Sequence, residues 1–559
     1  MPLRVRTVAR TPRQIPYDVA SERRTREDAM GDATILLRGA TVYPVVSRPV
    51  PHGALALRGA HVLAVGSADA LAATVGPHTR VIDLPPGWSV IPGFVDSHQH
   101  LLAYVRARSR LSLWHTGTVD AVLQAVRQAA PRGTGWLVAV GHDQGRLAER
   151  RHPTLAELDA AVPHRPLVIY RACLHLALVN SLALRQLGIT ADTADPAGGR
   201  IVRHAGLPTG VLEESALGLL AAALPAEAID WAGGLRLAAA EYHRRGITAI
   251  GEAALGHIAG TADLARMVQA LEQGLALRVY ALLSGAVADA ALAGQLPRRY
   301  ADGRLHLGAI KLFADGTLGA GTAWLSADYG DAPGQRGAPT IEPDRLLAQV
   351  AAAHRAGWQV AIHAIGDETV ALAIAAYEAA LRAQPRHDHR HRIEHVEVLR
   401  AGLAERMAAA GIVAAVQSPF TYWEAGDVSR LGAAQRMWAH PWATLERAGV
   451  IVSDGSDNPV LPDFHPLQGL FAATTRRSHA GTLIAPEQTI SVASALRRYT
   501  LGGALVAFAE AHYGALRHGM LADVAVIDCP LDEAHREQLA GASVRATFSG
   551  GVLVHDALP

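Results

Sequence analysis

The stretch Val90–His100, VIPGFVDSHQH, carries largely apolar residues into an aspartate and then two histidines one residue apart. In an extended strand alternate side chains share a face, so His98 and His100 project together while Gln99 points away. Two neutral imidazoles converging at a strand end are half of a metal site. Taken alone, the pair reads more readily as ordinary strand-end histidines bonded to backbone or solvent. The rest of the chain decides between these readings.

Working outward, strand-like runs alternate with helical ones. The helical candidates DRLLAQVAAAHRAG, LRAGLAERMAAAG and WATLERAG each close on a glycine just before the next apolar run, as a helix C-terminus should. Regular alternation of strand and helix implies parallel β/α units. The runs VIPGFVD, ITAIGEA, LRVYALL, GAIKLFA, QVAIHA, RIEHVE, IVAAVQ and VIVSDG are enough for a closed (β/α)8 TIM-like barrel. In that α/β fold the chemistry belongs at the C-terminal ends of the strands. Those ends carry His98 and His100, Lys311 within the fourth strand, His363, His395, and Asp457 just past the eighth. Together they make a metal site.

Both chain ends have a different texture. Short β-branched runs with Gly and Pro turns precede the barrel, and GMLADVAVIDCPL and VRATFSGGVLVHD repeat the pattern after it. Residues 33–90 and 518–559 are therefore expected to pair into a composite β-sandwich, leaving 91–517 as the barrel. The segment 101–235 is too long for one β/α unit and has strands of its own, so it reads as an inserted subdomain over the barrel mouth. Residues 1–32 are rich in arginine, have no apolar core of a secretory signal, and read as a disordered or extended arm.

Composition narrows the function. The 559 residues are 50% hydrophobic and 18% charged, with a net charge of +1, which disfavours a nucleic-acid partner and suits a small-molecule substrate. No apolar run reaches the length of a membrane span. Cys173 and Cys529 are the only cysteines, so neither a disulfide framework nor a thiolate metal site is expected, and the reducing cytosol is the expected compartment. A homodimer would be unsurprising, although the sequence does not fix the oligomeric state.

The segments IPGFVDSHQH, GLPTGVLEESA, IKLFADGTLGAGTAWL, AIHAIGD, RIEHVEVL, VQSPF and GSDNPVLPDFHP resemble the metal-dependent amidohydrolase superfamily, and within it amidohydrolase family 3, which includes N-substituted formamide deformylases. The resemblance implies a divalent metal, Zn2+ by the donor types. It implies that His98 and His100 hold the more buried ion with Asp457, and that His363 and His395 hold a second. Lys311 would bridge them as a carbamate. Without that modification one ion is expected, and an unmodified Lys311 could pair with Asp315 or bind substrate. A metal-bound hydroxide would attack an amide, formamide or cyclic amide, with Asp457 as general base and Asp454 as the first alternative. The competing readings are a one-metal deaminase of the same superfamily and a non-catalytic binding protein on this fold.

Other residues carry weaker signals. His175 and Asn180 in CLHLALVN, and Glu214 in PTGVLEES, match a family pattern, and each reads as a core residue or a substrate contact. Trp324, Tyr422 and Trp423 are loop aromatics that could contact substrate or pack on the rim, as could Tyr329. Asp367 is expected to cap the following helix or orient His363. His387, His389 and His391 read as a solvated turn. Glu252 stands where relatives often carry aspartate, which could alter the pocket floor.

Overall fold

Strand β1, Phe94–Gln99, is buried along its whole length, as a strand must be when side chains fill one face and helices cover the other. The computed structural model describes residues 32–559 apart from 133–134, 226–227 and 424, so the expected N-terminal arm lies almost wholly outside the described residues. From β1 the central sheet runs through β2 (Ile247–Leu255), β3 (Arg278–Leu283), β4 (Leu305–Phe313), β5 (Gln359–Ala364), β6 (Arg392–His395), β7 (Val413–Val416) and β8 (Val452–Asp454). Every neighbouring pair along this path is parallel. The fold is a TIM-barrel-like α/β fold.

Alternation along the strands separates the helix-facing core from the barrel interior. Val279, Leu307, Val360, Ile393 and Ala414 join the large core between strands and helices. Tyr280, Leu282, Ala309 and Ala361 form a separate cluster. Two residues on from Ala309 and Ala361 stand Lys311 and His363, so the strand period itself lifts these side chains from the floor to the mouth. The helices Pro343–Arg355, Leu403–Ala410 and Trp442–Arg447 are followed by Gly357, Gly411 and Gly449 at positive φ, the conformation that ends each helix before its strand.

Where β8 meets β1, side chains and loop backbone make the connection. Ser97 Oγ lies 2.9 Å from Ser453 Oγ and donates to the Asp454 carbonyl at 2.8 Å. Just beyond, Asp457 N donates to the His98 carbonyl at 2.7 Å and His100 N to the Asn458 carbonyl at 2.8 Å. A Cβ on Gly455 would stand 2.6 Å from His98 N, so only glycine permits this approach. The seam therefore brings Asp457 against the two histidines of β1.

Strands from both chain ends share a sheet: Thr41–Val42 and Ser89–Pro92 lie beside Val524–Ile527, Val544–Ser549 and Val552–Asp556. A second sheet, of Ile35–Arg38, Gly53–Arg58, His61–Ser67 and Arg80–Asp83, packs on it through Leu37, Leu55, Val90, Val524 and Phe548. After β1 the helix Leu101–Arg108 packs into the barrel core through Leu101, Leu102 and Val105. A six-stranded sheet then runs from Leu111 to Glu214 with a separate apolar cluster on each face. The chain rejoins the barrel through the helix Trp231–Arg244. No helix among the described residues is long and apolar enough to cross a membrane.

Candidate metal centre

Four imidazole rings gather at the barrel mouth. The His98 and His395 ring centroids are 4.8 Å apart, His363 and His395 4.4 Å, and His98 and His100 5.6 Å. One ligand atom each from His98, His395 and Asp457 lies within 4.8 Å of the others. His395, assigned above to a second ion with His363, thus stands close to His363 and also to His98 and Asp457. His100 joins them through Asp457, whose Oδ1 is 3.1 Å from His100 Nε2 and 3.4 Å from His98 Nε2.

Three of the rings, those of His98, His395 and His363, are aimed by a partner on the far side. His98 Nδ1 lies 2.5 Å from Glu394 Oε2, and Arg392 donates to both Glu394 oxygens at 2.7 and 2.8 Å. His395 Nδ1 lies 2.7 Å from Gln417 Oε1, and His363 Nε2 lies 3.0 Å from the Gly316 carbonyl. These acceptors require the facing nitrogen to carry the proton, which leaves Nε2 of His98 and His395 and Nδ1 of His363 with free lone pairs. Burial pushes His363 well below its ordinary value and His395 down to about 3, so both are neutral, the form that binds a metal.

Asp457 Oδ1 supplies the fit test. It is buried and accepts no hydrogen bond, a costly arrangement for a carboxylate. Burial alone would raise this carboxyl, but His98 and His100 beside it hold it well below the usual range. A carboxylate oxygen among four imidazoles, His363 and His395 neutral, is a donor set that fits a divalent cation such as zinc.

Lys311 is 3% exposed, with Nζ 5.0 Å from the Phe313 ring, and among the described residues no carboxylate lies within ion-pair distance. Burial lowers its pKa to about 8 against the opposing pull of Glu394 and Asp457. The alternative pairing with Asp315 is not made: Asp315 accepts from the backbone N–H groups of Trp324, Ile365 and Gly366. Asp454, the alternative base, is fully buried and bonded to Ser418.

Strand period places Glu394, two residues before Val396 and next to outward Ile393, inside the barrel. His395 would then point outward, yet φ is +76° at His395 and +50° at Val396. This turn brings His395 to the same site as Glu394. For a β-branched valine it is a strained conformation, of the kind that concentrates at functional sites. Asp457 is likewise at φ +56°.

A cavity of about 1000 Å³ opens above the centre, walled by barrel loops and by the inserted segment, including Tyr170, Cys173 and His175. His175 and Glu214 both line it. Their side chains meet at 2.7 Å, and Glu214 also accepts from Thr322 Oγ1 at 2.6 Å. Burial disfavours charge on His175, but Glu214 outweighs it and raises its pKa to about 9. Trp324, Tyr422 and Trp423 are not among the residues lining this cavity; Trp423 Nε1 instead donates to Gln468. Tyr329 is buried and donates to the Ala323 carbonyl, a packing role.

Of the two readings of Asn180 the core one holds, and two other expectations are corrected. Asn180 holds the inserted segment together by accepting from Leu167 N and Ala183 N and donating to the Val162 and Arg165 carbonyls. Asp367 neither caps its helix nor touches His363; it binds Ser326 and pairs with Arg400. His389 and His391 are buried, and only His387 of that run is exposed. Packing against His354, whose Nδ1 is 2.9 Å from His391 Nε2, takes them out of water. Glu252 lines the cavity floor as expected, accepting from Leu101 N at 2.7 Å, and burial raises it to about 7. Glu394, Gln417 and a buried cavity residue, Glu397, went unread. The signal for Glu394 was its strand parity.

Residues 80–555 match the model of the amidohydrolase family. The chain belongs to that family. It is 30% identical to YtcJ of Bacillus subtilis (strain 168) over 501 residues, 86% of this chain and 91% of that one. It is 27% identical over 544 residues to an N-substituted formamide deformylase of Arthrobacter pascens, covering 93% and 98% of the two chains. The crystal structure of a metal-dependent hydrolase from Pyrococcus horikoshii OT3 superposes with a TM-score of 0.69 at 25% identity, covering 90% of this chain and 99% of that one. This amidohydrolase is accordingly an enzyme that hydrolyses carbon–nitrogen bonds, with a divalent metal in its chemistry.

Proposed function

We propose that this amidohydrolase cleaves an amide, an N-substituted formamide or a cyclic amide, with Asp457 as general base in a zinc site held by His98, His100, His363, His395 and Asp457. The observation that carries the reading is Asp457 Oδ1, buried and ionised, with the His100 and His98 ring nitrogens at 3.1 and 3.4 Å. When bound there, a divalent ion supplies Lewis acidity and lowers the pKa of water. Asp457 takes the proton of the attacking water and returns it to the departing nitrogen. Glu394 and Gln417 hold the imidazoles in the tautomers that keep Nε2 of His98 and His395 facing inward. His175, kept cationic by Glu214, offers an N–H toward the cavity where an amide oxygen can be received.

The name of the Arthrobacter pascens relative supports the formamide class. A buried lysine with lowered pKa and no carboxylate within ion-pair distance among the described residues supports carbamate formation at Lys311 and a second ion. A second reading, a one-metal deaminase, is favoured by the single three-ligand group of His98, His395 and Asp457 among the described residues. The test is a panel of formamides, amides, cyclic amides and aminopurines on zinc-loaded protein, with metal content measured alongside. Turnover of the first three classes supports the proposal. Ammonia release from the aminopurines alone, at one ion per chain, replaces it with the deaminase.

A further inference from the structure

Glu397 is a carboxyl without a use in the chemistry derived so far. It is 5% exposed, lines the cavity, and among the described residues no hydrogen bond or ion pair reaches its side chain. A buried ionisable group left in this way is expensive unless something completes it. Further carboxyl groups stand on the same wall. Asp427 lines the same cavity, and its only ion pair among the described residues is with Arg171 at 3.5 Å. That guanidinium is already shared with Asp143 at 3.1 Å. Asp315, also on the lining, is saturated by backbone N–H donors and brings no cation. Carboxylates therefore outnumber cationic partners on this wall.

Position relates the wall to the chemistry. Glu397 is two residues beyond His395, so their Cα atoms are at most about 7 Å apart. A substrate whose scissile bond lies at His395 can reach Glu397 with a short alkyl spacer.

We propose that Glu397, with Asp427 beside it, forms a subsite for a cationic nitrogen group of the substrate, an ammonium, amidinium or guanidinium several bonds from the scissile amide. This rests on the amide-hydrolase reading and adds a substrate class to it. The ligand contributes the N–H donors and the positive charge that the wall lacks, and a charge-assisted contact in a desolvated pocket discriminates strongly against an uncharged isostere.

The experiment compares N-(4-aminobutyl)formamide, cationic at neutral pH, with its uncharged isostere N-pentylformamide on the zinc-loaded full chain. Expected is a kcat/KM ratio of at least tenfold for the cationic substrate, falling toward unity in E397Q and partly kept in E397D. Binding of 1,5-diaminopentane by calorimetry gives a second readout, with affinity expected to drop at least tenfold in E397Q. A wild-type ratio of one or less, or a preference that survives E397Q, overturns the subsite. If E397Q does not fold, the wild-type ratio and diamine binding decide. Absence of turnover of either formamide counts against the amide-hydrolase reading, while diamine binding still judges the subsite on its own.

Discussion

Glu394 Oε2 lies 2.5 Å from His98 Nδ1, and both Glu394 oxygens are held by Arg392. A histidine of the first barrel strand is thereby oriented by an ion pair within the sixth. Burial would raise the Glu394 carboxyl, but Arg392 and His98 together depress it far below its ordinary value. In E394Q the amide can still accept from His98 but no longer balances the buried guanidinium. Zinc affinity should fall about 10- to 100-fold, read by competition with a chromophoric chelator. Unchanged affinity would show that His98 is oriented by other means. E394A should cost about 3–5 kcal/mol of stability as well, because Arg392 is then buried alone.

Asp457→Asn retains an oxygen ligand and loses the base. Metal content should stay close to wild type while kcat falls about 100- to 10,000-fold. A variant with near-normal turnover would assign the proton transfer elsewhere. Asp454 is a poor substitute, since Ser418 engages both of its oxygens.

Lys311 divides the one-ion and two-ion versions of the site. With a carbamate, zinc should titrate to two ions per chain, activity should rise when bicarbonate is present during loading, and K311A should be partly rescued by small carboxylic acids. Mass spectrometry and elemental analysis check the first point. Full activity at one ion per chain with an unmodified amine would leave a mononuclear hydrolase.

His175 and Asn180, five residues apart, should separate cleanly. Asn180 makes its hydrogen bonds inside the inserted segment, so N180A should lower stability by about 2 kcal/mol or more. His175 faces the cavity beside His363, with ring centroids 5.2 Å apart, so H175A should reduce kcat/KM with a small change in thermal midpoint. The reverse pattern would contradict both assignments.

The buried imidazoles His389 and His391 predict acid lability. Burial depresses both in the folded state, below the unfolded value near 6.5. Their contribution is complete above about pH 6.5. As pH falls below it the unfolded chain binds protons that the native state cannot, and stability is lost by up to about 1.4 kcal/mol per unit for each group. Urea midpoints between pH 7.5 and 5.5 should trace this loss, and H391Q should flatten it. A pH-independent midpoint would mean these rings are protonated in the fold.

The strand count and order are legible in local periodicity, and so is the placing of several expected site residues. Side chains two apart on a strand share a face, so His98 with His100, Lys311 above Ala309 and His363 above Ala361 are dictated by pairs of residues close along the chain. Glycine after the helices and the apolar strands are equally local. Contacts between distant segments are not legible in this way. Glu394 meets His98 across 296 positions and Ser97 meets Asp454 across 357, and no local pattern carries such information. The same holds for burial. RHDHRHRIEH reads as a polar turn, yet His354 and neighbouring strands remove His389 and His391 from water, and only the packing separates Asn180, bonded within the inserted segment, from His175, on the cavity wall. His395 shows the limit of periodicity: its positive φ breaks the alternation that would have pointed it outward, and only packing around the site sustains that turn against its steric cost.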